Sequence, residues 1–220
     1  MNIIAHRGAS YYAPENSLSA FQLALEHAVS GIEFDVHYCH GQALVIHDID
    51  LQRTHNHPAH ISTLTPKQLS EYHIPTLEQV VTLIGTECII NIEVKSVDDN
   101  TGFIQHLLDL QTRKLIHSNT VISSFNHCLL DQYQVAGVNT QYAGLIAHLP
   151  KDLAQFAVTG GFDIIAIADD VVNQAMIINA HHLGKKVWVY TVDDPARAAH
   201  LRLWQVDAIF SNDTLKMQQS

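Results

Sequence analysis

Charge stands in this chain where strands should be apolar. Glu33 and Asp35 flank Phe34 in Ile32-Glu33-Phe34-Asp35-Val36, and Glu93 and Lys95 alternate with Ile92 and Val94. A parallel strand covered by helices normally reads as a near-continuous apolar run. Side chains alternate along a strand, so Glu33 and Asp35 share one side, and so do Glu93 and Lys95. If Phe34, Ile92 and Val94 pack outward, all four charges point inward. Carboxylates crowded together repel and take up protons unless a cation compensates them. An all-oxygen donor set of Glu33, Asp35 and Glu93 suits a hard ion, Mg2+ or Ca2+. Pairing Lys95 with one carboxylate would still leave two negative charges uncompensated.

Two further segments carry chemistry. His6-Arg7-Gly8 follows the first apolar run, and His47-Asp48 ends another. Histidine exchanges protons near neutral pH, which makes His6 and His47 candidates for acid and base. Zinc is a poorer match, because it would take these imidazoles as ligands. Arg7 offers a planar fork of donors for phosphate oxygens, and Lys95 adds a point charge. Gly8 is expected to turn the chain tightly where a ligand approaches. A divalent ion with Arg7 and Lys95 would more than offset the three carboxylates. Such a site is complementary to a phosphodiester and to the negative charge gathered in its transition state.

These residues need a scaffold that brings distant segments to one mouth. Strands are expected at 3–6, 32–37, 43–47, 89–95, 121–125, 142–147, 162–168, 186–192 and 207–211. Helices are expected at 17–29, 66–72, 76–84, 101–110, 127–136, 151–158, 172–182 and 194–204. Strands alternating with helices argue for parallel βα units. Only Tyr38-Cys39-His40-Gly41-Gln42 separates the second and third strands. That is too short for a parallel crossover, so the link is a hairpin. Eight βα strands remain, the number that closes a TIM (β/α)8 barrel with a hairpin excursion after the second strand. A doubly wound open sheet would usually carry a Gly-rich first turn, which is missing. In the first helix, Asn16 or Ser17 is expected to cap the start, Leu18, Phe21, Leu25 and Ala28 to share a face, and Gly31 to close the end.

Composition limits the function classes. The 220 residues are 47% hydrophobic and 15% charged, with no linker or repeat, and fit a single catalytic domain over 1–220. A net charge of −10 disfavours nucleic acid and anionic membrane surfaces. The three cysteines, Cys39, Cys88 and Cys128, form no CxxC pair and suit a reducing compartment. Met1-Asn2 leads straight into an apolar strand with no basic leader, and no run is long enough to span a membrane. A cytoplasmic location is expected. Oligomeric state is not encoded in these features.

At the residues named above the sequence resembles the glycerophosphodiester phosphodiesterase family. The resemblance runs in order through Ala5-His6-Arg7-Gly8, Pro14-Glu15-Asn16-Ser17, Glu33-Phe34-Asp35-Val36, Val45-Ile46-His47-Asp48 with Leu51-Gln52-Arg53-Thr54, Pro75-Thr76-Leu77-Glu78, Ile92-Glu93-Val94-Lys95 and Ser123-Ser124-Phe125. It continues at Gly144-Leu145, Tyr190-Thr191-Val192-Asp193 and Val206-Asp207-Ala208-Ile209. The ordered set is far more specific than any one segment.

The resemblance implies a TIM barrel that uses a divalent metal to hydrolyse glycerophosphodiesters to glycerol 3-phosphate and an alcohol. By motif position, Glu33, Asp35 and Glu93 are the metal ligands, His6 and His47 the acid and base, and Arg7 and Lys95 the phosphate clamp. Glu15 and Asn16 order the first loop, and Phe125 and Tyr190 stand as pocket walls. Tyr190 and Asp193 occupy positions where the family usually has Trp and Asn. The short segment from His55 to Leu64 argues against a large capping subdomain and for small diesters. Three alternatives are a phospholipase D-like enzyme on lysophospholipids, favoured if the rim is apolar, a non-catalytic phosphate-binding barrel, and a metal-dependent barrel acting on carbon acids.

Overall fold

The computed structural model describes residues 1–219. Its strands are β1 (Asn2–His6), β2 (Gly31–Cys39), β3 (Gln42–Val45), β4 (Ile89–Val97), β5 (Thr120–Ser124), β6 (Gln141–Ile146), β7 (Ile164–Ala168), β8 (Lys186–Tyr190) and β9 (Ala208–Ser211). All except β3 pair in parallel with their neighbours, and β1 pairs with both β9 and β2. The sheet is therefore a closed eight-stranded parallel barrel with helices between the strands, a TIM barrel. β3 pairs antiparallel with the far end of β2, from Val36 opposite Val45 to Cys39 opposite Gln42, so the expected hairpin is present and its turn shrinks to His40-Gly41.

Alternation along the strands sorts two apolar cores. Phe34, Ile92, Val94, Ile122, Ile165, Val187 and Ile209 face outward and pack with the helices. Ile4, Val121, Ala143, Leu145, Ile164, Ala166, Trp188, Ala208 and Phe210 fill the barrel itself. Trp188 is thus interior packing. A third cluster, Cys39, Leu44, Ile46, Leu51, Ile61, Leu64 and Leu69, lies apart and belongs to the excursion. That excursion comprises β3, the short helices α2 (Gln52–His55) and α3 (Pro66–Glu71), and a 3-10 turn at Ile61–Thr63 between them. Expected elements recur within a few residues; α2, the 3-10 turn and the last helix α10 (Thr214–Gln218) are additions.

The first helix, α1 (Leu18–Glu26), starts as expected: the Ser17 hydroxyl accepts from the Ala20 N–H at 3.1 Å. Its buried face differs from the expected one. Ala20, Phe21 and Ala24 are buried, whereas Leu18 is exposed. The reason is Gly8: a Cβ there would lie 2.8 Å from the Cβ and carbonyl carbon of Ala20. Gly8, at φ +80°, makes the tight turn expected and also lets the His6-Arg7-Gly8 segment press on α1. Gly31 does not close the helix either. The left-handed residue after α1 is Ala28, at φ 51°, and Gly31 opens β2 against Ile89.

Candidate active site

β1 stops at His6, level with Glu33, while β2 and β4 run on beyond their acidic residues. The acids thus sit in mid-strand, not at the strand ends, and the overhang of β2 carries β3. Ile46 N–H donates to the Asp35 carbonyl at 3.0 Å, so the returning chain delivers His47 beside the mouth. Register sets Glu33 beside Asn91 and Asp35 beside Glu93, all pointing into the barrel.

Glu33, Asp35 and Glu93 offer oxygens that all lie within 4.8 Å of one another, with Glu33 and Asp35 only 2% and 1% exposed. Burial pushes the Glu33 carboxyl well above its ordinary value, and the charges of Asp35 and Glu93 add to the rise. Burial and Asp35 likewise raise Glu93, against the opposing pull of Lys95. Glu33 Oε2 accepts the Arg7 backbone N–H at 2.8 Å, but its Oε1 has no hydrogen-bond partner. Asn91 Oδ1 beside it is also unpartnered. An orphaned buried carboxylate oxygen among hard donors fits a Mg2+- or Ca2+-type cation.

Both basic residues contact this cluster. Lys95 Nζ donates to Glu93 Oε1 at 2.7 Å and lies 3.5 Å from Asp35 Oδ1. Burial works to lower the Lys95 ammonium, but Glu93 and Asp35 outweigh it and leave it raised. Lys95 therefore remains charged, and its pairing still leaves Glu33 uncompensated. Arg7, held at φ 58°, donates from Nη1 to Glu15 Oε1 at 2.9 Å. Its Nε is 3.3 Å from Asp35 Oδ2 yet makes no hydrogen bond. Asn16 orders the loop by donating to Asp35 Oδ2 at 2.8 Å and accepting the Asp35 N–H at 3.2 Å.

His6 Nε2 stands 4.0 Å from Glu33 Oε2, and its Nδ1 is 2.8 Å from Asn212 Oδ1. Burial lowers the His6 imidazole, with Arg7 acting in the same direction. His47 Nδ1 donates to Asp48 Oδ1 at 2.6 Å. Arg53 then donates to Asp48 Oδ2 at 2.6 Å and, in a two-pronged pair, to both oxygens of Glu15 at 2.8 and 2.7 Å. Those bonds hold Glu15 and Asp48 each at about 2. Buried His37 secures the His47 backbone: its Nε2–H donates to the His47 carbonyl at 2.9 Å, and Ser96 lies 2.6 Å from its Nδ1.

Tyr190 lines a small space with His6, Glu33, Asn91, Glu93, Leu145 and Phe210, and its hydroxyl donates to the Ile146 carbonyl at 2.8 Å. Phe125 is exposed and meets Tyr190 edge-on at 6.1 Å between ring centroids. Sequence reasoning missed Asn91, Asn212 and His37. The two-residue strand period places Asn91 on the face of Glu93 and could have found it; Asn212 and His37 give no local signal.

Carboxylates that could hold a cation, two imidazoles and two basic side chains thus meet at the mouth of a TIM barrel, a donor set complementary to a phosphate ester. The comparisons with known proteins fall in the same place. The family model for glycerophosphoryl diester phosphodiesterases matches residues 6–216. A glycerophosphodiester phosphodiesterase of Caldanaerobacter subterraneus is 34% identical over 57% of this chain and 58% of its own. One from Bacillus altitudinis is 28% identical over 96% of this chain and 94% of its own. The structure of an Oleispira antarctica phosphodiesterase, in complex with the product sn-glycerol-3-phosphate, superimposes with a TM-score of 0.91 at 23% identity, covering 100% of this chain and 96% of that one. The chain belongs to the glycerophosphoryl diester phosphodiesterase family, and its activity is the hydrolysis of glycerophosphodiesters. Among the described residues no helix is long and apolar enough to cross a membrane.

Proposed function

We propose that the substrates are small glycerophosphodiesters, such as glycerophosphocholine or glycerophosphoethanolamine, cleaved to sn-glycerol 3-phosphate and the free alcohol. The observation that carries this reading is the cluster of buried Glu33 and Asp35 with half-buried Glu93, with the unpartnered Glu33 oxygen, beside Arg7 and Lys95. The trio would hold one Mg2+ or Ca2+, which supplies charge stabilisation at a nonbridging phosphate oxygen. Arg7 and Lys95 hold the remaining oxygens and oppose the charge that grows on them in an in-line displacement. One of His6 and His47 removes a proton from the nucleophile, and the other protonates the leaving alkoxide. Two nucleophiles fit this arrangement: water, or the vicinal glycerol hydroxyl, which gives a cyclic phosphate that is then opened.

A second reading, phospholipase D-like action on lysophospholipids, is favoured by exposed Tyr11, Tyr12, Ile49, Phe125 and Leu149 on loops after β1, β3, β5 and β6. One assay compares the two. Glycerophosphocholine and a micellar lysophospholipid are supplied separately, each with Mg2+ or Ca2+. Release of glycerol 3-phosphate that stops with a chelator supports the first reading. Faster turnover of the micellar substrate overturns it in favour of the second.

A further inference from the structure

The mouth does not itself determine which nitrogen of His6 carries the proton. The residues behind it do. Asp193, in the loop after β8, is clamped by Asn212, just past the end of β9. Its Oδ1 accepts the Asn212 backbone N–H at 2.8 Å and the Ser211 hydroxyl at 2.7 Å. Its Oδ2 accepts the Asn212 side-chain N–H at 2.6 Å. Burial alone would raise the Asp193 carboxyl; these bonds outweigh it and keep it below its ordinary value, so Asp193 is an ionised pure acceptor. An amide facing a pure acceptor must present its NH2 group there. The Asn212 oxygen is therefore forced to the other side, where His6 Nδ1 stands at 2.8 Å. A carbonyl-type oxygen only accepts, so Nδ1 must be the protonated nitrogen. Ser10 braces the same corner: its hydroxyl lies 2.7 Å from the His6 carbonyl and 3.0 Å from Asn212 Oδ1.

We infer that Asn212, oriented by Asp193, is a positioning residue that fixes His6 as the Nδ1–H tautomer, with the Nε2 lone pair aimed at the mouth. This rests on the reading of His6 as an acid/base group. In the other tautomer Nδ1 and the Asn212 oxygen would face each other as two acceptors, and the ring would turn. Asp193 stands where the resembling family usually has Asn, and its carboxylate lies one step behind the Asn212 amide, not against the imidazole. The arrangement is a reciprocal pair: exchanging both residues preserves every donor–acceptor match, whereas changing one does not.

The test combines turnover on glycerophosphocholine with long-range 1H–15N NMR of the His6 ring in the metal-loaded protein. Asn212→Leu is expected to lower kcat about 10–100-fold with KM within about twofold, and to lose the Nδ1–H signature. Asp193→Asn is expected to lower kcat through a freely flipping amide, and Asn212→Asp through two abutting carboxylates. The double variant Asp193→Asn/Asn212→Asp is expected to recover most of the loss and the Nδ1–H signature. A His6 ring that keeps that signature in Asn212→Leu, or a double variant no better than the worse single one, overturns the inference. His6→Ala with near-normal kcat overturns instead the acid/base reading beneath it, so the two failures are told apart.

Discussion

His6 ends a strand of the closed barrel and rests on the neutral amide of Asn212, whereas His47 hangs from the excursion and leans on the carboxylate of Asp48. The supports differ in exposure as well as charge. Side-chain exposure is 17% for His6 and 30% for His47, and Arg53, which braces Asp48, is 49% exposed. One imidazole is thus held by parallel-sheet register and a compact amide bracket. The other is held by an ion-pair chain, Asp48–Arg53–Glu15–Arg7, that ties the excursion to the first barrel loop. The same chemical group can be placed by packing on one side of a mouth and by charge on the other. The second placement rests on partly exposed ion pairs and is the more open to salt.

The largest effects should fall on both halves alike. His6→Ala and His47→Ala are each expected to lower kcat by at least ~10²-fold with unchanged circular dichroism. Near-normal turnover in either variant would remove that half from the chemistry. Next comes the floor the halves share: Glu33→Gln and Asp35→Asn should shift the Mg2+ or Ca2+ activation curve to about 10-fold or more higher concentration. An unshifted curve would show that the cation is held elsewhere.

Smaller effects should separate the halves. Arg53→Ala is expected to lower kcat several-fold, on the order of 10 at most, and to make activity less sensitive to added salt, because the lost ion pairs are partly exposed. Equal salt sensitivity in the variant would break the comparison. The smallest effect is on stability in acid. Glu15 and Asp48 titrate near 2 when folded, against ordinary values of 4.5 and 3.8. A depressed carboxylate stabilises the fold above its unfolded value, and this is lost as pH falls through the folded one. The urea midpoint of wild type should therefore exceed that of Arg53→Ala above pH about 4.5, and the gap should close as pH falls towards about 2. A gap that persists at the acid end would show that Arg53 stabilises by packing.

Much of this was legible in the chain. Alternation in Ile32–Val36 and Ile92–Lys95 put the four charges inside, and the five-residue link made β3 a hairpin strand. What sequence could not show was the company each residue keeps. Asn212 lies 206 positions from His6 and meets it only because β9 closes on β1. The tight turn at Gly8 was readable, but the crowding that Gly8 also relieves comes from Ala20, a helix contact that no local pattern announces. Leu18 fits a helical stripe, yet the close approach at Ala20 rotates that face of α1 away from it.

Six buried apolar side chains of the excursion, with Cys39 at the end of β2, form a nucleus of their own, while Ala43 and Val45 of β3 join the core beneath the helices. β3 is tied to β2 by its ladder and to Asp35 through the Ile46 N–H, but the stretch beyond it, residues 49–72, can open by breaking mainly its own contacts and partly exposed ion pairs. Amide hydrogens of residues 49–72 should exchange faster than those of β5 to β8, and by a route that leaves the barrel shut. Such an opening carries Arg53 away from Asp48 and Glu15, and so slackens the brace behind His47 while the strand that delivers His47 stays on the barrel.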